Sequence, residues 1–381
     1  MDEDTGTLQF DAVVIGGGIA GQESALNLAD TGRTVLLVEK DLSIGGRMIH
    51  LSKVFPTLDC AACITTPKVS ETARHPNITV MTSSEIGDVA RRADGAFEGT
   101  VTTRPRFVVE KDCTGCQKCE EVCPVVVDDQ YQYGLVGRKA AYVPFSIANP
   151  RIAAIDLDHC ILCGACERAC PSGAIDFTQE TRTTGVIAGT IVVATGFRLF
   201  EPARIENYGA GHFGNVITSM QMERQLVPTR PFNNVLRPTD GKIPDNIAYV
   251  LCAGSRDAAL GNPICSQVCC MYSMKQGQLL LGALPMADIT IYYIDIRAFG
   301  KGYEEFYRST EGMGVEFVKG KVGTIEERDD GDLVLRYEDV VEGTVKEAVH
   351  DLVVLSVGML SNPDAGGIFR GGSLELCLLY T

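Results

Sequence analysis

A two-domain α/β fold, with a small cysteine-rich module set into the first domain, is what this amino-acid sequence predicts. Three observations carry it. Asp11–Ile15 is an apolar strand that runs through GGGIAG into Ile19–Asp30, where Ala and Leu share a face, and Thr34–Val38 follows as a second strand, a βαβ unit. Two near-identical cysteine runs then occupy Lys111–Gly173. Beyond them the apolar-strand pattern returns as IAGTIVVATG within Gly185–Gly196, and again from Asn246 onward.

In chain order, Gly45–Ala73 reads as loop-rich with one CxxC, and Ile78–Val109 as short strands with Gly-containing turns. A Tyr- and Gly-containing stretch, Gln130–Pro150, separates the two cysteine runs. Pro202–Pro244, rich in Pro and Asn, reads as a long connection. Asn246–Cys252 is a strand and Cys269–Ala283 a helix; Ile289–Ile294 and Val315–Val318 are strands, Gly331–Val340 is hairpin material, and Leu352–Val357 is a final buried strand. The expected boundaries are 1–110 and 181–244 for the two parts of the first domain, 111–180 for the inserted module, 245–350 for the second domain, and 351–381 for a return to the first.

Composition bounds the function. The 381 residues carry a net charge of −15, which argues against nucleic acid, since phosphate binding needs a basic surface. A solvated acidic surface is the plain reading and a docking face for a basic partner the sharper one. No uncharged apolar run reaches the ~18–20 residues of a membrane span, and the polar, acidic Met1–Gly6 lacks a basic signal-peptide start. The fifteen cysteines stand mostly in CxxC spacings, which suits metal binding rather than a secreted disulfide framework. The expected location is therefore the reducing cytoplasm, with membrane association only through a partner.

Gly16, Gly18 and Gly21 have GxGxxG spacing between a strand and a helix, and Glu39 and Lys40 end the next strand. Gly16 permits the tight turn, Gly18 lets the backbone approach a pyrophosphate, and Gly21 lets helix and strand pack closely. The helix N-terminus faces the phosphates and Glu39 the ribose hydroxyls. FAD is favoured over NAD by Gly45, Gly46 and Arg47 close behind the acidic residue, and by the late Ala194, Thr195 and Gly196. That pairing resembles the two-dinucleotide-fold flavoproteins, which include thioredoxin reductase.

Cys113, Cys116, Cys119 and Cys123 form CxxCxxCxxxCP, and Cys160, Cys163, Cys166 and Cys170 repeat it. This is the bacterial two-cluster ferredoxin run, in which the fourth cysteine crosses to the other cluster. One [4Fe–4S] cluster is expected on Cys113, Cys116, Cys119 and Cys170, the other on Cys160, Cys163, Cys166 and Cys123. Small neighbours Gly115, Gly164 and Ala165 let backbone N–H groups approach the sulfurs.

YVLCAGSRDAALGNPICSQVCCMYSMKQ stands where a second GxGxxG would fall. Cys265 and Cys269 lie one helical turn apart, Cys270 is adjacent, and Cys252 ends a strand; together they are read as ligands of a third [4Fe–4S] cluster. Buried structural cysteines or a redox disulfide are the other readings. Cys60 and Cys63 stay open between a dithiol exchanging electrons with the flavin, cluster ligands, and structural cysteines.

FPTLDCAACITTPK, the paired CxxCxxCxxxCP runs and CSQVCCMYSMKQ together resemble the heterodisulfide reductase A-subunit family and its quinone-interacting and sulfur-oxidising relatives, over about residues 10–365. The resemblance implies an FAD and iron–sulfur electron-transfer subunit, with the Cys252 set carrying a cluster near the FAD and Lys275 near the flavin N5. It implies partners too: B- or C-type subunits, a hydrogenase, ferredoxin or a quinone-linked protein, and a homodimer within the complex. Flavin-based bifurcation is a known role of the family. The tail after DLVVLSVGMLSNPDAGG, with Cys377, departs from the family and reads as a shortened flavin-contacting segment. A self-contained FAD- and NAD(P)-dependent oxidoreductase of the glutamate synthase small-subunit type, and a non-catalytic ferredoxin-like carrier, are the rival readings.

Overall fold

The computed structural model describes residues 6–362 and 364–369. Leu8–Ile15 (β1) lies near the centre of the first sheet. Val35–Val38 (β2) pairs with it in parallel on one side, and Ile78–Met81 (β3) extends the parallel run. Arg182–Val193 (β10) pairs in parallel on the other side. Ser84–Arg91 (β4) and Phe97–Thr103 (β5) close the far edge, with β5 antiparallel to β10. The six strands thus run in the order β3-β2-β1-β10-β5-β4. Ile19–Asp30 (α1) lays Ala25, Leu26 and Ala29 on Val14 and Leu37, as its 3.6-residue period requires. Ala61–Arg74 (α2) adds Val69 to the same cluster.

The module occupies the gap between β5 and β10. Its short helices Lys118–Glu121 (α3) and Ala165–Ala169 (α4), with the ribbons Val126–Asp128 (β6), Gly137–Lys139 (β7), Ala141–Tyr142 (β8) and Ala154–Ile155 (β9), surround a core of Val108, Ile152, Ile155, Ile175 and the ligand-type Cys119 and Cys166.

Phe197–Leu199 (β11) leads out of the first domain, and Val216–Thr218 (β12) and Ser219–Leu226 (α5) open the second. Asn246–Ala253 (β13), Cys269–Ala283 (α6), Asp288–Tyr293 (β14), Tyr303–Gly312 (α7) and Glu316–Glu327 (β15) repeat the βαβαβ path of the first domain. Leu333–Asp339 (β16) and Thr344–His350 (β17) follow antiparallel, and Leu352–Val357 (β18) completes the sheet. Its seven strands run in the order β12-β18-β13-β14-β15-β16-β17. Met271, Met274 and Leu280 of α6 cover one face over Ile247, Tyr249, Ile291 and Val354; Leu333, Leu335 and Tyr208 cover the other.

Three expectations are corrected. β18 does not return to the first domain: it lies between β13 and β12, buried at every position in the second sheet. Among the described residues, the chain rejoins the first domain at Ile368–Phe369, whose Ile368 carbonyl accepts from the Val89 amide at 2.9 Å. Met359–Ser361 (β19) pairs on the way with β11. The supposed loop at 45–73 contains α2, a helix despite Pro67, held by packing of Thr65 and Val69. The supposed connection at 202–244 contains β12 and α5, whose N-terminus is a Thr218–Gln221 capping box. The later part of the expected tail, with Cys377, lies outside the described residues.

Candidate functional site

The glycine turn is packed tightly against backbone at two positions and open at a third. A Cβ on Gly16 would sit 2.3 Å from the Ala194 carbonyl, and one on Gly21 1.8 Å from the Gly16 carbonyl. At Gly18 an added Cβ meets nothing nearer than the Gly46 Cα at 3.9 Å, so the space beside it is open. No side chain caps α1, which leaves its first N–H groups available to phosphate oxygens. Gly45 and Gly46 have positive φ, and the Gly45 amide donates to the Gly17 carbonyl at 2.8 Å, so this second glycine pair closes onto the first. The Ala194 amide donates to the Ile15 carbonyl at 2.8 Å, and Thr195 and the left-handed Gly196 follow it beside the turn.

Glu39 is buried at the end of the second strand, next to the exposed Lys40. Its carboxylate accepts from the Gly17 amide at 2.6 Å and the Asp41 amide at 2.9 Å. Burial, helped by the charge of Asp41, outweighs these bonds and raises its pKa. Each oxygen keeps a further lone pair, so the ribose contact fits.

In the inserted module the internal repeat extends to the backbone. Gly115 and Leu162 hold φ of 63° and 53°, and Gln117 and Gly164 hold 64° and 67°, at matching places in the two runs. Cys113, Cys116, Cys119 and Cys170 line one cavity with Val108 and Ile175, which is the crossed set expected from spacing. Cys166 in turn feels Cys160 and Cys123. Burial pushes the Cys119 thiol up to about 11, and burial likewise raises Cys166. Backbone N–H groups already point at sulfur: Leu162 at Cys160, 3.4 Å, and Ala174 at Cys170, 3.3 Å.

A third set gathers in the second domain. After an irregularity in β13 the Cys252 backbone turns left-handed at φ 60°, an uncommon state for a non-glycine residue, beside the start of α6. Cys252 and Cys265 both act electrostatically on Cys269 and Cys270. Burial lifts Cys269 to about 12 and Cys270 to about 11. The Gln267 amide donates to Cys265 at 3.3 Å and the Arg297 amide to Cys270 at 3.4 Å. All described cysteines are unpaired thiols. Among the described residues no three His, Cys, Asp or Glu side chains close up tightly enough for a single metal ion.

Cys60 caps the N-terminus of α2, and its sulfur accepts from the Cys63 amide at 3.4 Å. A hydrogen bond from the Cys63 thiol is the main cause lowering Cys60, and the same bond raises Cys63, which is exposed.

Lys275 is buried, and its charge is matched. Its ammonium pairs with the buried Glu223 of α5 and donates to the Lys53 carbonyl at 3.0 Å. Glu223 also accepts from the Ser52 amide at 2.8 Å, the Ser52 hydroxyl at 2.6 Å and Gln276 at 2.5 Å.

The neighbouring Arg224 ties the inserted module to the flavin-type loop, donating to Gln132 Oε1 at 2.9 Å and the His50 carbonyl at 3.1 Å, with its Cζ 4.3 Å from the Tyr131 ring centroid. The Tyr131 hydroxyl reaches the Ile49 carbonyl at 3.2 Å, and Arg47 reaches the Tyr133 hydroxyl at 3.1 Å. Further along, the Ile44 amide donates to the Asn149 carbonyl at 3.0 Å. Sequence reasoning missed Ser52, Glu223, Arg224, Tyr131 and Tyr133. The capping box before Glu223 and the tyrosine pair were visible, but nothing in the sequence joined them.

Comparison with known proteins bears on this geometry. Residues 11–54 match the FAD binding domain family and residues 112–175 the 4Fe-4S dicluster domain family. The A subunit of the ferredoxin:CoB-CoM heterodisulfide reductase of Methanosarcina mazei is 46% identical over 360 residues, covering 94% of this chain and 45% of its own length. Over nearly its whole length, this chain is similar to part of the heterodisulfide reductase A subunits. The iron-sulfur A subunit of the CoB–CoM heterodisulfide reductase of Methanocaldococcus jannaschii is 45% identical, covering 96% of this chain and 56% of its own. The chain thus spans about half the length of the A subunits it matches. T. acidophilum thioredoxin reductase overlies 94% of this chain and 79% of its own at 13% identity, with a TM-score of only 0.46. No helix among the described residues is long and apolar enough to cross a membrane.

Proposed function

We propose that this chain is the FAD- and [4Fe–4S]-bearing electron-transfer subunit of a heterodisulfide reductase-like complex, an oxidoreductase component that moves electrons between a flavin, three clusters and partner subunits. The observation that carries this reading is the direct seating of the two-cluster module on the flavin-type loop through Tyr131 and Tyr133. It brings one-electron carriers beside a two-electron site on one polypeptide.

FAD would supply the exchange between two-electron and one-electron transfer. Gly16, Gly18, Gly21, Gly45, Gly46 and Arg47 would seat its phosphates and ring, Glu39 its ribose. Ala194, Thr195 and Gly196 would close the pocket. The crossed sets of the module would hold two clusters, and Cys252, Cys265, Cys269 and Cys270 a third. Lys275, paired with Glu223, would lie near the flavin N5. Cys60 and Cys63 have the helix-start geometry of an exchangeable dithiol. Domain boundaries follow the sheets: β1 to β5 with β10 for the flavin domain, β12 to β18 for the second. B- or C-type subunits and a ferredoxin or hydrogenase are the proposed partners, in a cytoplasmic complex.

Anaerobic purification with flavin and iron quantification tests the reading. About one FAD and twelve irons per chain support it, four irons belonging to each cube. About eight irons with FAD would remove the third cluster, and iron without flavin would overturn the flavin-centred reading.

A further inference from the structure

The chain between Cys252 and Cys265 folds back on itself. The Asp257 amide donates to the Asn262 carbonyl at 2.8 Å, and the Asn262 amide to the Asp257 carbonyl at 3.0 Å. Just outside this bridge the Arg256 amide donates to the Ile264 carbonyl at 2.9 Å. Arg256 is thus pinned four residues after Cys252 and against the residue that precedes Cys265. Its backbone is left-handed, with φ of 57°, a state that a bulky residue keeps only where its surroundings enforce it.

The chain just past β14 reaches the same thiols. The Arg297 amide donates to Cys270 Sγ at 3.4 Å, and that sulfur lies 3.8 Å from the Asp295 carbonyl oxygen. The Asp295 side chain joins the two segments. Its Oδ1 pairs with Arg256 Nη1, and its Oδ2 accepts from Arg297 Nη2 at 3.1 Å and Nε at 3.3 Å. Burial would raise the Asp295 carboxyl, but the two guanidiniums prevail and hold it low, so it is ionised at neutral pH. Two cations share one anion, which leaves one positive charge in excess. Sulfur lies within reach of that excess. Arg256 works against the effect of burial on Cys252, and Arg297 feels Cys265 and Cys270 after its bond to Asp295. The Arg256 side chain is only 23% exposed, so water screens it in part.

We propose that Arg256 and Arg297, bridged by Asp295, form a cationic collar that stabilises the reduced, more negative state of the cluster on Cys252, Cys265, Cys269 and Cys270. This inference rests on the third-cluster reading above. Reduction adds one electron and no atom, and in that reading the electron comes from the flavin. A fixed positive charge beside the sulfurs therefore raises the potential in proportion to its field. The carboxylate keeps both guanidiniums in place at the cost of part of that field.

The test is an anaerobic redox titration of the purified holoprotein, followed by electron paramagnetic resonance, on wild type, R256M, R256K, R297M and D295N, with iron measured on each. The signal lost in C252S marks the third cluster. R256M should weaken the reduced relative to the oxidised cluster by about tenfold, a fall of about 59 mV for a one-electron couple. R297M leaves the amide bond to Cys270 in place and should also lower the potential. D295N removes negative charge and should raise it, and R256K should stay close to wild type. A purely structural clamp would move R256M and D295N in the same direction or neither; each result, with full iron, overturns the proposal, as does an equal fall in R256K and R256M. If R256M loses the third cluster, R297M and D295N decide, and anything but opposite shifts overturns the proposal. Wild-type protein with about eight irons would sink the third-cluster reading itself, an outcome distinct from these.

Discussion

Replacing Glu223 by Gln probes the junction where the two domains meet. The Glu223 and Lys275 side chains are each 2% exposed. Glutamine can still accept from one side, but its amide group turns a second donor towards Ser52, Gln276 or the Lys275 ammonium. Lys275 keeps only the Lys53 carbonyl. Breaking a buried pair from one side costs about 3–5 kcal/mol, because a buried charge is left unmatched. The double variant E223Q/K275M removes both charges, so its loss should fall short of the sum of the singles by about 2–3 kcal/mol. Urea unfolding of the four anaerobic proteins, followed by far-UV circular dichroism, reads this directly. Burial alone would raise the Glu223 pKa, but the Lys275 charge and the hydrogen bonds from Gln276, Lys275 and Ser52 prevail and lower it. A carboxyl lower in the folded state than in the unfolded one stabilises fully above the ordinary carboxylate range. That stabilisation is lost as pH falls through the folded value. E223Q should therefore flatten the acid limb of the stability profile. Additive losses in the cycle, or an unchanged acid limb, would refute a coupled buried pair.

Cys170 lines the cavity of Cys113, Cys116 and Cys119 rather than that of its own run. C170S and C113S should thus leave the same residual electron paramagnetic resonance signal, and C160S a different one; matching C170S and C160S signals would show local ligation. Because Cys60 is lowered and Cys63 raised, iodoacetamide at neutral pH should modify Cys60 before Cys63. Mass spectrometry of the tryptic peptide checks the order, and first labelling at Cys63 would contradict the helix-start geometry.

Much of the architecture was readable from local pattern. Ile19–Asp30, Cys269–Ala283 and Leu352–Val357 fall where pattern and length place them, the last as a short run rich in β-branched valine. Pro67 and the β-branched Ile64, Thr65 and Thr66 hid α2, because propensity is weak beside tertiary burial. α5 was hidden inside a Pro- and Asn-rich stretch, although Thr218 and Gln221 carried its capping signal.

The sequence by itself determined the chemistry: which thiols repeat at cluster spacing, where glycines let a phosphate approach, and which acid ends the second strand. These are short-range patterns, set by bond lengths and the reach of one turn. The tertiary structure decided the rest. It put Leu352–Val357 into the second sheet, because a fully apolar strand needs neighbours on both sides and β12 and β13 supply them. It also brought His50, Gln132 and Arg224, and separately Ser52, Glu223 and Lys275, within hydrogen-bond reach across as many as 222 positions of chain, from Lys53 to Lys275. Contacts over such separations are fixed only when whole domains pack, and no local spacing encodes them.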